Sequence, residues 1–151
     1  MLPFRSQPPA QRLPEGYRLA LNPSPEAEAL NRLLIQAGER ARPAERWRLV
    51  LERSLWHLAV WSPQGGLVGF VRATSDLALN ANLWDLLSDP ADPGQATVLQ
   101  VLVQTALQQL RRELAGCSIS LSAPPEALRA LEQVGFVVDP GGIRAMGLPL
   151  G

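Results

Sequence analysis

Lysine is absent from this 151-residue chain, and every basic side chain that is fully charged at neutral pH is an arginine. Lysine plus arginine and aspartate plus glutamate each number 14, so the formal net charge is zero. No segment collects basic residues as a surface that follows nucleic-acid phosphates would. We therefore expect neither nucleic acid nor an anionic membrane as a partner.

Cysteine and histidine occur once each, as Cys117 and His57. A single cysteine cannot form an internal disulfide, which fits a reducing compartment, and we expect a cytoplasmic protein. No histidine, cysteine and carboxylate grouping has the spacing of metal ligands, so we expect no metal. We interpret His57, in the middle of a predicted strand, as a packing or surface residue and not a catalytic one.

Long apolar runs are also missing, since no segment approaches the roughly 18 apolar residues of a membrane span. The first 15 residues hold four prolines and no apolar core, so we expect no secretory signal. Apolar residues make up 46% of the chain and charged residues 19%, which is the composition of a globular domain. We divide the chain into a proline-rich arm, residues 1–16, and a folded domain, residues 17–151.

Hydrophobic periodicity predicts a mixed α/β chain. The predicted strands are 17–21, 55–61, 67–74, 82–88, 117–122, 136–138 and 143–148. Helices are predicted from Pro25 (with Ser24 as the cap) to Ala37, after Pro43, from Thr97 to Leu114, and after Pro124. A strand–helix–strand unit over 82–121 indicates a parallel pair with a right-handed crossover, while the other strands are expected to be antiparallel.

Two runs of residues carry a more specific resemblance. The first is Gly-Phe-Val-Arg-Ala-Thr-Ser-Asp at 69–76, followed by Asn80-Ala81, Trp84-Asp85 and Asp89-Pro90. The second is Gly135-Phe136, Asp139-Pro140 and Gly-Ile-Arg-Ala-Met at 142–146. These motifs resemble the branch of the Gcn5-related N-acetyltransferase (GNAT) superfamily that is found in chloroplasts and cyanobacteria. The resemblance is good over 55–146, only topological over 17–54 and absent over 1–16.

The resemblance implies a mixed, mostly antiparallel sheet with a central splayed parallel pair, flanked by four helices. It implies that acetyl-CoA lies in the splay, with its pantetheine arm along the strand edge formed by Leu86, Leu87 and Ser88. Its pyrophosphate would lie at the N-terminus of the long helix, where free N–H groups and the helix dipole favour anions. The amides implied at that position are those of Gly94, Gln95, Ala96, Thr97 and Val98.

On the other side of the splay, the resemblance implies an amine acceptor: a peptide N-terminus, a lysine or an arylalkylamine. Asp85 lies where the superfamily often keeps a carboxylate base, and the alternative is a strand-end acid bonded to nearby backbone. Arg72 and Asp76 match the branch pattern and either contact substrate or form a structural ion pair or turn bond. Trp84 is either a core anchor or a wall of the acceptor pocket.

The phosphate loop departs from the family pattern Gln/Arg-x-x-Gly-x-Gly/Ala. Pro93, Ala96 and Val98 stand at its three specified positions. Side chains at 96 and 98 would keep backbone from approaching phosphate closely, so glycine at both is expected to raise coenzyme affinity. Residues 94–98 keep five amide donors, so we expect a site that is damaged sterically but still holds donors.

Charge and proton chemistry depart from the family as well. Asp89 and Asp92 flank the loop, and no arginine occurs between residues 72 and 111. Family members often place a tyrosine just before the Gly-Phe corner to protonate the leaving thiolate, and Leu131 takes that place here. The sole tyrosine, Tyr17, lies at the far end of the chain.

Two hypotheses of function therefore remain. The first is an active N-acetyltransferase that moves an acetyl group from acetyl-CoA to an amine. The second is a pseudoenzyme that keeps the fold and binds a protein partner, which the changed loop and Leu131 favour. A homodimer is compatible with either hypothesis.

Overall fold

The computed structural model describes residues 9–150, so residues 1–8 of the predicted arm and residue 151 lie outside it. Within this range five strands form one sheet, and four α-helices pack around it. The strands are β1 (Arg18–Leu21), β2 (Trp56–Trp61), β3 (Leu67–Ser75), β4 (Asn80–Ser88) and β5 (Ser118–Leu121). The helices are α1 (Ala27–Gln36), α2 (Ala44–Arg53), α3 (Gln95–Glu113) and α4 (Leu128–Gln133).

The strands follow one another in chain order across the sheet, and the predicted mixed topology is confirmed. β1 to β4 pair antiparallel, whereas β4 and β5 pair parallel on either side of the α3 crossover. The parallel pairing runs from Asn80 opposite Ser118 to Leu83 opposite Leu121 and then stops. Residues 84–88 of β4 therefore continue without pairing to β5, and the two strands splay apart there.

Helices cover the sheet on both faces. α3 and α4 pack on one face, where the buried residues of α3 meet those of β2, β3 and β4. α1 and α2 cover the other face, where Leu30, Leu33 and Leu34 of α1 pack with Trp47 and Phe70. Both faces of the sheet are thus covered by helices, and the splay between β4 and β5 opens at the edge of the sheet.

Two predicted helix starts are wrong by two residues. α1 begins at Ala27 after an extended Glu26, and not at Pro25 after a Ser24 cap. The segment before it is held to β2 instead, because Asn22 exchanges backbone and side-chain hydrogen bonds with His57. α3 begins at Gln95 and not at Thr97, so the loop after β4 is shorter than predicted.

The two final predicted strands, 136–138 and 143–148, are wrong. The chain turns at Asp139, Gly141 and Gly142, which have φ of 46°, 64° and 79°, and this left-handed backbone cannot continue a strand. Most apolar residues of these two segments are exposed, Met146 at 97%. The parallel pair therefore lies at one edge of the described sheet and not at its centre.

The arm was predicted to end at residue 16, and that boundary stays a prediction. In its described part, Leu13 packs against the α3 face of the core. The Gln11 amide also donates to the Gln104 side chain of α3 at 2.9 Å.

Of the helices within residues 9–150, none is long and apolar enough to cross a membrane.

Gly69 lets α3 pack closely on β3. A Cβ placed on Gly69 would lie 2.6 Å from a Val98 methyl carbon and 2.9 Å from one of Leu102. Glycine at 69 therefore lets the first turns of α3 lie directly on the sheet, and Val98 fills the space above it with 0% exposure.

We expect Gly69→Ala to lower the free energy of unfolding by about 1–3 kcal/mol, because the added methyl overpacks this contact. Gly66→Ala is the matched control, since its nearest new neighbour is the Ser62 hydroxyl at 3.6 Å; we expect it to stay within about 0.5 kcal/mol of wild type. Adding Val98→Ala to Gly69→Ala should cost less than the sum of the single changes. Additive losses in denaturant unfolding would contradict the contact.

His57 is buried at 5% exposure, so it is a packing residue and not a surface residue. Its Nε2 bonds the Pro23 carbonyl, while no described residue contacts Nδ1 through a hydrogen bond. Burial lowers the pKa of His57, and the bond to Pro23 offsets this only in part. The folded protein therefore resists protonation of this ring.

The sign of the resulting pH dependence follows from linkage. As pH falls below about 6.5, the unfolded chain binds a proton at His57 before the folded protein does, so stability should decrease. His57→Gln keeps an N–H donor for Pro23 but does not titrate, and its stability should change less between pH 7 and pH 5. The free energy of unfolding is measured by urea denaturation at each pH. If it changes equally with pH in the two proteins, His57 is not the source of the pH dependence.

Candidate active site

A β-bulge in β4 places Asp85. Phe70 pairs with Leu87 and Arg72 pairs with Trp84, so Asp85 and Leu86 together face the single residue Val71. Asp85 has φ 52°, in the left-handed region that residues other than glycine rarely adopt. Bulges re-aim side chains at functional sites, and this one turns Asp85 toward the segment between α1 and α2.

The Asp85 carboxylate is held by two arginines, and we call these three residues the Asp85 cluster. Oδ1 accepts from Arg42 Nη2 and Oδ2 accepts from Arg72 Nε, each at 2.7 Å. Burial alone would raise the pKa of Asp85, but the hydrogen bonds from both guanidinium groups outweigh it and lower the pKa. The carboxylate is therefore ionised at neutral pH, bonded to arginine side chains and not to backbone, and weakly basic.

Trp84 stands beside this cluster. It is 43% exposed, so its interpretation as a core anchor is wrong. Its Nε1 donates to the Thr74 hydroxyl at 2.7 Å, and the Arg72 guanidinium lies 5.8 Å from the centre of its ring. Trp84 thus presents a fixed aromatic wall at the point where β4 and β5 part.

Asp76 lies apart from the other predicted acceptor residues. It accepts the backbone amides of Ala78, Leu79 and Asn80, within the turn between β3 and β4. These bonds lower the pKa of Asp76 to about 2. Asp76 therefore stabilises a turn, and Arg72 pairs with Asp85 and not with it.

A hollow of about 440 Å³ lies where β4 and β5 separate, and we call it the splay hollow. Trp84 lines one side and the end of β5 with residues 122 and 123 lines another. Leu131 of α4 also lines it, although this side chain is 2% exposed. The position predicted to lack a general acid thus borders the hollow with a hydrocarbon side chain.

The predicted pantetheine edge, Leu86 to Ser88, is buried. The Ser88 hydroxyl accepts a hydrogen bond from the Gln95 side chain at 3.0 Å. This contact joins the end of β4 to the first residue of α3, so the two predicted parts of the coenzyme site are adjacent in the fold.

The amides of residues 94–98 are not all available to a ligand. The Gly94 amide donates to the Asp92 carboxylate, the Gln95 amide to the Asp92 carbonyl and the Val98 amide to the Gly94 carbonyl. Among residues 9–150, no acceptor meets the amides of Ala96 and Thr97. The expected five donors are therefore reduced to two, as in the first turn of any helix without a full cap.

The two added side chains of this loop point in different directions. Val98 is fully buried against Gly69, so the expectation that it obstructs phosphate is wrong, and glycine at 98 would instead leave a cavity in the core. Ala96 is exposed at the start of α3. Of the two substitutions predicted to block an anion, only Ala96 lies where it could.

Three residues of the site were missed from the sequence. Arg42 lies in the connection between α1 and α2, and no local signal marks it as the partner of a β4 carboxylate. Tyr17 lies against the phosphate loop, its hydroxyl 2.8 Å from Asp92. Arg32 of α1 lines a hollow of about 370 Å³ together with Asp92 and Pro93. Each is brought to the site by packing between elements distant in the chain.

Among the described residues, no group of three or more histidine, cysteine or acidic side chains is placed to hold a metal ion.

No protein-family model matches the chain. The chain is 30% identical over 131 residues to the uncharacterized N-acetyltransferase ycf52 of Gracilaria tenuistipitata var. liui, which covers 85% of this chain and 71% of the relative. Its fold is similar to a probable acetyltransferase from meticillin-resistant Staphylococcus aureus, with a TM-score of 0.77, 18% identity and coverage of 89% and 99%. It is also similar to a GNAT family N-acetyltransferase from Escherichia coli in complex with CoA, with a TM-score of 0.62, 20% identity and coverage of 90% and 74%.

We expect Asp85→Asn to lower the free energy of unfolding at neutral pH by about 1–3 kcal/mol, because it leaves two arginines without their anion. Asp139→Asn removes a carboxylate from an exposed pair with Arg144 and should stay within about 0.5 kcal/mol.

The stability lost on Asp85→Asn should become smaller as pH falls. The folded pKa lies below 3.8, so the carboxylate stabilises the fold above that pH and loses its effect as pH falls through the folded value. Wild type and Asp85→Asn should therefore converge in acid. A gap that is constant down to acid unfolding would contradict the cluster's role.

Proposed function

Because this chain belongs to the Gcn5-related N-acetyltransferase family, we propose that it binds acetyl-CoA between β4 and β5 and transfers the acetyl group to an amine. The observation that carries the proposal is the separation of β4 from β5 after Leu83, directly beside the N-terminus of α3. Leu86 to Ser88 are buried, so this combination offers one extended ligand the β4 edge at the exposed Trp84 together with the helix N–H groups.

The residues present fit the coenzyme in part. The amides of Ala96 and Thr97 face no acceptor among the described residues, and a helix N-terminus favours an anion such as pyrophosphate. Arg32 lines a hollow with Asp92 and Pro93, but its guanidinium pairs with Glu28 at 3.2 Å and leaves little positive charge for the loop. Asp92 and the Ala96 methyl oppose binding, so we propose a low affinity.

Acetyl-CoA would supply a thioester: a bond forms between the acyl carbon and the amine nitrogen, the carbon–sulfur bond breaks, a thiolate leaves and the nitrogen releases one proton to solvent. Trp84 and the other walls of the splay hollow would orient the two reactants and exclude water. Leu131 cannot give the thiolate a proton. A thiol has a pKa of about 8.5, so the thiolate can leave and take its proton from solvent, at a cost in rate.

The acceptor must arrive with an unprotonated nitrogen. Asp85 is a weak proton acceptor because two arginines hold its charge, so its role as a base stays a prediction. A peptide α-amino group has a pKa of about 7.7–8.0, against about 10.4 for lysine, and is more often neutral at physiological pH. We therefore propose that a peptide N-terminus is used more readily than a lysine or an arylalkylamine.

A second candidate function is a non-enzymatic module that binds a protein partner. Leu131 in place of a general acid favours it, and so do the apolar side chains exposed after Gly135, of which Val137, Ile143 and Leu148 are each more than half exposed. Large exposed apolar groups that lie close together in a chain are typical of interaction surfaces. The partner-binding role predicts no thiol release with any amine.

The two functions separate in a direct experiment. Calorimetric titration of the protein with acetyl-CoA, to millimolar concentrations, should give saturable binding if the coenzyme site works. Release of free thiol is then followed with a peptide bearing a free N-terminus, with the same peptide blocked at its N-terminus but holding a lysine, and with an arylalkylamine. Absence of binding and of thiol release would refute the enzymatic proposal.

We expect Leu131→Tyr to turn over faster than Leu131→Phe, because the two variants share an aromatic ring and differ by one proton donor beside the splay hollow. General acid catalysis contributes about 10²–10⁴-fold when the donor is well placed, and we expect at least about tenfold here. The measurement is kcat for thiol release at saturating acetyl-CoA. Equal rates would show that protonation of the thiolate does not limit turnover.

A further inference from the structure

The side chain of Asp92 already occupies an anion position at the start of α3. Its Oδ2 accepts the Gly94 amide at 2.9 Å and the Tyr17 hydroxyl at 2.8 Å. Its backbone carbonyl accepts the Gln95 amide at 3.1 Å. One residue thus uses two of the amides that lie at the N-terminal end of the helix.

Tyr17 is fitted tightly to this carboxylate. A Cβ on Gly94 would lie 2.8 Å from the Tyr17 hydroxyl oxygen and 3.0 Å from Asp92 Oδ2. Gly94 has φ −92°, which any residue adopts, so glycine is required here by the close approach of these two side chains and not by the backbone. The ring of Tyr17 also packs on the α3 face of the core.

The position of this pair conflicts with an incoming phosphate. The pyrophosphate site of the proposed function needs N–H groups of residues 94–98, and the Asp92 carboxylate holds one of them with a full negative charge. A phosphate that approached the remaining amides of Ala96 and Thr97 would meet that charge nearby. The Tyr17 hydroxyl holds this carboxylate in place, although the two residues lie 75 positions apart in the chain.

We propose that the Tyr17–Asp92 pair is an intramolecular competitor for the pyrophosphate of acetyl-CoA and limits the affinity of this protein for its coenzyme. This inference rests on the proposed function, because it concerns the same site. Binding of the coenzyme would require the Asp92 carboxylate to leave Gly94, and the Tyr17 hydroxyl opposes that movement. The pair thereby makes low affinity a built-in property of the loop, beyond the effect of Ala96.

The test measures the dissociation constant of acetyl-CoA for wild type, Asp92→Asn and Tyr17→Phe by calorimetry. Asp92→Asn keeps an oxygen that can accept from Gly94 but removes the charge, and we expect about tenfold tighter binding. Tyr17→Phe removes only the hydroxyl, and we expect about threefold tighter binding. Asp89→Asn is the matched control, since its carboxylate flanks the loop but bonds the Ala91 amide and not α3.

A second measurement follows the pair without any coenzyme. The hydrogen bond from Tyr17 to Asp92 raises the pKa of Tyr17, and this is the sole tyrosine of the chain. Ultraviolet titration of the phenol should therefore show a lower pKa in Asp92→Asn than in wild type or Asp89→Asn. An unchanged phenol pKa in Asp92→Asn would show that the pair does not form, and would overturn the inference.

The binding outcomes separate this inference from the proposed function. Saturable wild-type binding with no gain in Asp92→Asn or Tyr17→Phe, or an equal gain in Asp89→Asn, would overturn the inference alone. Binding that is detected only after Asp92→Asn or Tyr17→Phe would support it. Absence of binding in wild type and in all three variants would overturn both.

Discussion

The contact between Val98 and Gly69 is the constraint on which the rest of the site depends. Because Gly69 has no side chain, the first turns of α3 lie directly on β3, and Val98 is sealed between them. The start of α3 is thereby fixed beside the end of β4, where Gln95 bonds Ser88. The free amides of Ala96 and Thr97 are thereby held at the start of α3, next to the end of β4.

Two carboxylates of the candidate site, Asp85 and Asp92, are bonded to other groups of the protein. On the acceptor side, Arg42 and Arg72 neutralise Asp85 and leave it a weak base. On the coenzyme side, Asp92 is held by Tyr17 and Gly94. The protein keeps the fold of an acetyltransferase, while both of these carboxylates are bonded to other side chains or to backbone within the fold.

Local sequence patterns predicted most elements because local physics decides them. Helical spacing of Leu30, Leu33 and Leu34 marked α1, and the turn residues at 62–66 marked the hairpin of β2 and β3. The same reasoning failed for 136–138 and 143–148, since a short segment rich in apolar residues resembles a strand whether or not a neighbour pairs with it. It failed also for Ser24, where tertiary bonds between Asn22 and His57 govern the path of the chain.

What the sequence by itself determined is the fold class, membership of an acetyltransferase family and the absence of a tyrosine at 131. These depend on residue identity and on spacing within single elements. Only the tertiary structure decided that Val98 points into the core, that Arg42 binds Asp85 and that Tyr17 holds Asp92. Those contacts join residues 29 to 75 positions apart, and side-chain direction across such separations is set by how the elements pack and not by any local pattern.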